Sequence, residues 1–243
     1  MSSTEIVVAQ QFRGPPNSGN GGYVAGLMGA LIDGPSTAVL RAPPPLDTPL
    51  VLEEAEGVVR MKTPDGVLIA EARPALDFAF SDPPAPPSYD EAVAAGARFI
   101  GLHRPFHPVC FCCGDKLDEG FGLRVFVGQT EGAPGGQVSG AWTAHAEFAD
   151  EEGLTRPEMI WAALDCPGSV SWVVSEGGGG LLGTMTCEIL RRPRAGEACI
   201  VTAWPIEASG RKRISGTALF AADGELLARS HQIWIGRTPA SPE

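Results

Sequence analysis

The sequence predicts an α+β protein built from two copies of one unit in tandem, each a helix followed by a run of antiparallel strands. Three observations carry this expectation. Leu40-Arg41-Ala42-Pro43 recurs as Leu190-Arg191-Arg192-Pro193, and Asp47 recurs as Glu197, both at an offset of 150 residues. Asp65-Gly66-Val67-Leu68-Ile69-Ala70 recurs as Asp223-Gly224-Glu225-Leu226-Leu227-Ala228 at an offset of 158, so the second copy carries eight more residues between the two matches. One helical stretch precedes each set of strands, an order that argues for a helix packed on its own sheet.

Taken in order, Tyr23 to Ile32 is apolar nearly all round and follows Gly21-Gly22, which predicts a buried helix. A strand ending in Arg and Pro, two more strands, an Asp-Gly turn and a last strand follow, the turn between apolar runs being a hairpin signal. Residues 81–109 begin with Pro83, Pro84, Pro86 and Pro87 and then offer a short helix around Tyr89 to Phe99, a linker between unit 1–80 and unit 110–243. The second unit is expected to open with a hairpin of Gly122 to Val127 and Gln137 to Ala144. Its helix, Glu158 to Cys166, follows Pro157, a residue suited to a first turn. Its strands are expected at Met185 to Arg191, Glu197 to Trp204, Arg213 to Phe220 and Glu225 to Ile235.

At 243 residues and 44% hydrophobic content the chain can build a substantial core. A formal net charge of −11 with 19% charged residues argues against a broad attraction to nucleic acid or anionic lipid, so an anionic ligand would need a local basic patch. Met1 to Gln11 lacks the pattern of a signal peptide and no apolar run reaches membrane-spanning length, which places the expected location in the cytoplasm, away from the membrane. Three of the six cysteines are bunched at Cys110, Cys112 and Cys113, unlike a secreted disulfide scaffold, so reduced thiols are expected.

The helix-then-sheet unit, with Arg-Pro after a strand and Asp-Gly before the last one, resembles the hotdog thioesterase superfamily over nearly the whole chain. Asn20-Gly21-Gly22-Tyr23-Val24-Ala25 is similar to the Asn/His-Gly-Gly helix start of acyl-CoA thioesterases. Cys110-Phe111-Cys112-Cys113-Gly114, followed by Gly122-Leu123-Arg124, is similar to the opening of the phenylacetyl-CoA-thioesterase-like branch, and Ala163-Leu164-Asp165 sits where that branch carries a helical catalytic aspartate. Ala228-Arg229-Ser230-His231-Gln232 resembles the last strand of double-hotdog acyl-CoA thioesterases, where the Gln belongs to an Asp-Thr-Gln site. The resemblance implies a tandem double hotdog, each antiparallel sheet wrapped around a central helix. The second unit has Arg156-Pro157-Glu158 in place of the Gly-Gly start, and the first has Gly29 in place of the aspartate, so each unit keeps half of a site.

What the resemblance implies is hydrolysis of an acyl-CoA or acyl-carrier-protein thioester, with no cofactor. Asp165 would be base or nucleophile, Gln232 would position water, and Thr184, ahead of Thr186, would be the site's Thr. Asn20, Gly21 and Gly22 would bring backbone N–H groups to the thioester oxygen at a helix N-terminus. Asp165 lies eight residues after Pro157, about 12 Å along its helix, where an antiparallel partner helix could present its start. Arg191, Arg192 and Arg194 are the expected contacts for the phosphates of coenzyme A, with Arg211-Lys212-Arg213 as the other basic group. His103, His107, Cys110 and Cys113 have the spacing of a four-ligand zinc site, but buried thiols are the preferred reading and no metal is expected. A dehydratase would need a histidine on a central helix, and a serine hydrolase would need a Gly-x-Ser-x-Gly elbow; neither is present. The rival function is a non-catalytic acyl-CoA binder. Open sheet edges lead to an expected homo-oligomer, a dimer or trimer.

Overall fold

A computed structural model describes residues 2–104, 107–133 and 135–236; Met1 and residues 237–243, which the expected units include, lie outside the described residues. The first half of the chain contributes β1 (Ser2–Val7), α1 (Gly21–Gly29), β2 (Ser36–Leu40), β3 (Pro49–Ala55), β4 (Val58–Lys62) and β5 (Leu68–Pro74). Two short helices, α2 (Tyr89–Gly96) and α3 (Ile100–His103), follow. The second half contributes β6 (Gly128–Gln129), β7 (Val138–Thr143), α4 (Pro157–Glu176), β8 (Gly180–Ile189), β9 (Ala198–Ser209), β10 (Lys212–Ala221) and β11 (Leu226–Gly236).

All eleven strands form one antiparallel sheet in the order β1-β3-β4-β5-β2-β8-β11-β10-β9-β7-β6. Outward from the β2–β8 junction the order runs β2-β5-β4-β3-β1 on one side and β8-β11-β10-β9-β7 on the other. The four strands nearest the junction follow the same order on both sides, β2-β5-β4-β3 and β8-β11-β10-β9. At the junction Ser36 stands opposite Cys187 and Val39 opposite Thr184, and the Thr37 and Thr186 hydroxyls are 2.8 Å apart. The strands depart from expectation in two places. β1 has no counterpart in the repeated segments and was not expected. Gly122 to Val127 does not pair as a strand, and β6 is only two residues long. Arg124 has a left-handed backbone (φ 55), and the Leu123 and Val125 amides donate instead to the Phe111 and Cys112 carbonyls. The segment is thereby tied to the cysteine-rich turn.

Helices α1 and α4 lie together over the sheet and form the centre of the core. Asn20 caps α1 by accepting from the Tyr23 amide at 2.9 Å. Along α1, an added Cβ at Gly22 would meet the Asp165 Cβ at 2.5 Å and the Trp161 carbonyl at 2.6 Å, while one at Gly26 would meet the Glu158 Cα at 2.6 Å. Advancing along α1 therefore means retreating along α4: the helices are antiparallel and in backbone contact, which only glycine allows there. α2, closed by a Ser88–Glu91 capping box, packs Ala92 with Ile200, Ala218 and Phe220.

α4 continues well past the expected end at Cys166 and runs through Pro167. A proline at this position cannot donate to the Ala163 carbonyl one turn earlier. The Cys112 thiol points at that carbonyl from 4.0 Å, and Gln232 Nε2 donates to the neighbouring Leu164 carbonyl at 2.6 Å. Side chains from outside the helix thus serve its backbone where the proline interrupts it.

Candidate active site

Asp165 emerges from the middle of α4 with 3% of its surface exposed. Its Oδ2 accepts from Asn20 Nδ2 at 2.7 Å and from the Gly22 amide at 3.0 Å, both at the start of α1. Its Oδ1 has no hydrogen-bond partner. The two half-motifs, 145 residues apart in sequence between Asn20 and Asp165, meet in one place. Gly21 is the first residue of α1, so its amide has no carbonyl of its own helix to bond, and it lies against Leu182 and Leu40 near the sheet junction.

Burial raises the Asp165 carboxyl from 3.8 to about 7; the Gly22 amide opposes the shift, Cys110 adds to it, and the Asn20 amide opposes it. The folded state therefore holds this proton more tightly than the unfolded chain does. The stabilisation is complete below about pH 4 and is lost as pH rises through about 7, on the order of 4 kcal/mol over the full range. Thermal melts between about pH 5 and about pH 8 should show this decline in the wild type and not in Asp165→Asn. Parallel pH profiles for the two proteins would show that the carboxyl does not titrate there.

Gln232 is fully buried and every polar atom of its amide is engaged. Nε2 donates to the Leu164 carbonyl and to Ser230 Oγ at 3.1 Å, and Oε1 accepts from Trp234 Nε1 at 2.9 Å. It braces the residue before Asp165 and does not touch the carboxylate itself. Thr184 requires a correction. It stands opposite Ile233 on β11, whereas Gln232 stands opposite Met185, and neighbours on a strand point to opposite faces. Thr186 shares the face of Thr184, so neither threonine completes a cluster with Gln232.

The arginines also depart from expectation. Arg191 is held by Glu197 at 2.7 Å and Glu225 at 2.8 Å, and Arg192 by Asp150 at 2.5 Å. Their charge is neutralised locally, by Glu197 ahead of β9 and Glu225 beside the Asp-Gly turn for Arg191, and by Asp150 in the loop before α4 for Arg192. Arg194 remains exposed, its backbone amide bonded to Glu197. Near the far end of α4 a surface cleft of about 560 Å3 is lined in part by Trp172, Ser175, Pro205 and Ile206, and Arg213 lies over the Trp172 ring, 5.5 Å from its centroid.

The sequence did not group the thiols that surround Asp165. Cys110 Sγ lies 3.5 Å from Cys166 Sγ and accepts from Asn20 Nδ2 at 3.9 Å, and Cys110, Cys113 and Cys166 have sulfurs within 4.8 Å of one another. The Cys110-x-x-Cys113 spacing was a visible signal; Cys166, on α4, was not connected to it by any spacing rule.

Neither protein-family models nor curated proteins give a match to this sequence. Solved structures do. The TesB protein of Mycobacterium avium subspecies paratuberculosis superposes with a TM-score of 0.63 at 12% identity, covering 97% of this chain and 93% of that one. A conserved protein of unknown function with a hotdog fold from Alicyclobacillus acidocaldarius gives 0.63 at 14% identity, covering 98% and 94%. An acyl-CoA thioesterase II from Mycobacterium marinum, TesB2, gives 0.57 at 15% identity, covering 93% and 92%. At these identities the likeness speaks for the fold, and the chain shares the fold of the hotdog thioesterases, α+β with one large antiparallel sheet.

Proposed function

We propose that the chain is a tandem double hotdog, with units 1–80 and 110–243 joined by linker 81–109, that hydrolyses an acyl-CoA or acyl-carrier-protein thioester at Asp165. The observation that carries this reading is a buried carboxyl brought to about 7 beside a glycine-rich helix start, with one oxygen unpartnered. In the anionic form Asp165 would take a proton from water, or attack directly. The thioester oxygen would be received by the Gly21 and Gly22 amides; the proton taken from water would pass to the departing thiolate, or, after direct attack, water would hydrolyse the acyl anhydride and supply that proton. The Gly22 amide is held by Asp165 itself, so the substrate carbonyl must take over that donor as it binds.

That same contact favours one rival, a non-catalytic acyl-CoA binder, because a carboxylate fixed by two donors and almost fully buried has little room for water. Turnover of an acyl-CoA panel, with mass spectrometry of co-purifying ligands, separates the two. Thioester cleavage that rises with pH through about 7 supports the enzyme; saturable binding without cleavage leaves the binder.

Phosphate recognition falls to Arg194 and to Arg211 and Lys212 of the second basic turn, since Arg191, Arg192 and Arg213 already have acidic partners. Arg194→Glu is expected to raise KM for a CoA thioester several-fold with little change in kcat, as when uniform binding is removed. An unchanged KM, with a rise on Arg211→Glu instead, would move the phosphate site to the cleft end of α4. The sheet edges at β1 and β6 suit assembly into a dimer or trimer, which light scattering would detect.

A further inference from the structure

Four of the six cysteines converge on one spot, beside Asp165 and the proline interruption of α4. Cys110 and Cys166 have sulfurs 3.5 Å apart, Cys113 completes a triangle with no side longer than 4.8 Å, and the Cys112 thiol faces the Ala163 carbonyl of α4 at 4.0 Å. Buried thiols ordinarily pack as small apolar groups. Here sulfur faces sulfur. A tetrahedral ion with metal–sulfur bonds of about 2.3 Å holds its sulfurs about 3.8 Å apart, close to the spacing present.

The turn that carries three of them is held in one shape. The turn closes at Gly114, whose amide donates to the Cys110 carbonyl at 2.7 Å; an added Cβ would meet that carbonyl at 2.6 Å and the Pro108 carbonyl at 2.7 Å. Any other residue would force the turn open. His103 and His107 are not among the grouped ligands; Cys166 takes the place that the linear spacing offered to a histidine.

We infer that Cys110, Cys113 and Cys166, with Cys112 turning from the Ala163 carbonyl to complete the set, form a closed thiolate site for a thiophilic divalent cation, Zn2+ by its ligand chemistry. Each thiol that binds gives its proton to solvent, and no electron transfer is involved. The ion ties the 110–114 turn to α4 at Pro167 and so steadies the Asn20–Asp165 contact that Cys110 adjoins. Its role is structural, since a site closed by four protein sulfurs leaves no open position for substrate.

The test uses the full chain, expressed with Zn2+ in the medium and purified under reducing conditions without chelator. Elemental analysis is expected to find about one Zn2+ per chain, and Co2+ exchanged into the site is expected to give the sulfur-to-metal charge-transfer and visible bands of tetrahedral thiolate. Cys113→Ser and Cys166→Ser should lose the ion, while Cys187→Ser and Cys199→Ser, in strands away from the cluster, should keep it. If the ligand variants do not fold, the Co2+ spectrum of the wild type still decides. Less than about 0.1 ion per chain with no Co2+ bands would overturn the inference. So would a Cys110–Cys166 disulfide in the reduced preparation, or metal retained in both ligand variants.

Discussion

Asp165→Asn is expected to remain folded and to lose at least about 100-fold in turnover, the lower end of what a general base contributes. The amide keeps an oxygen for the Gly22 and Asn20 donors, so the helix contact survives, but it cannot take a proton from water. The loss should fall on kcat, with KM for an acyl-CoA little changed. Stability at alkaline pH should rise, because the cost of burying a charged carboxylate is removed. Gln232→Ala should reduce turnover less than Asp165→Asn, since Gln232 acts on the Leu164 carbonyl and not on the carboxylate. Full turnover in Asp165→Asn would end the catalytic assignment and leave the binder.

Gly26→Ala is expected to cost substantial stability through the addition of one methyl group at the α1–α4 contact. The new Cβ would sit 2.6 Å from the Glu158 Cα and 2.8 Å from the Trp161 Cβ, and a backbone atom cannot swing aside as a flexible side chain can. The helices must separate, at a cost of about 1–3 kcal/mol or more. Gly26 is one turn from Gly22, so separation also draws Asn20 and Gly22 from Asp165, and activity should fall together with Tm. Gly178→Ala is the control, because an added methyl there meets nothing within 4 Å. Equal melting temperatures for the two variants would show that α1 and α4 do not depend on this close approach.

The second-half strands β8 to β11 were legible because the repeat and the Asp-Gly turns are local signals, and they lie within a few residues of the expected bounds except at the start of β8 and the end of β9. The first strand was missed because nothing in Ser2 to Val7 repeats elsewhere, and its pairing with β3 is 42 to 52 residues distant. The hairpin expected at Gly122 to Val127 failed for the opposite reason: its apolar pattern reads as a strand, but its amides are taken by the Cys110–Cys113 turn. Helix α4 was read too short because Pro167 is a local stop signal. Contacts from Cys112 and Gln232, far away in sequence, serve the carbonyls around that interruption.

By itself the sequence determined the α+β class, most of the second-half strands and the residue types at the site, because periodicity, glycine pairs and turn dipeptides act over a few residues. Only the tertiary structure decided which groups meet. It set Asp165 against Asn20 and Gly22, put Thr184 on the face opposite Gln232, gave Arg191 and Arg192 to acidic partners, and brought Cys166 to Cys110 and Cys113. The physical reason is that these outcomes follow from strand register and from how closely two glycine-bearing helices can approach, and both are fixed by contacts between distant parts of the chain.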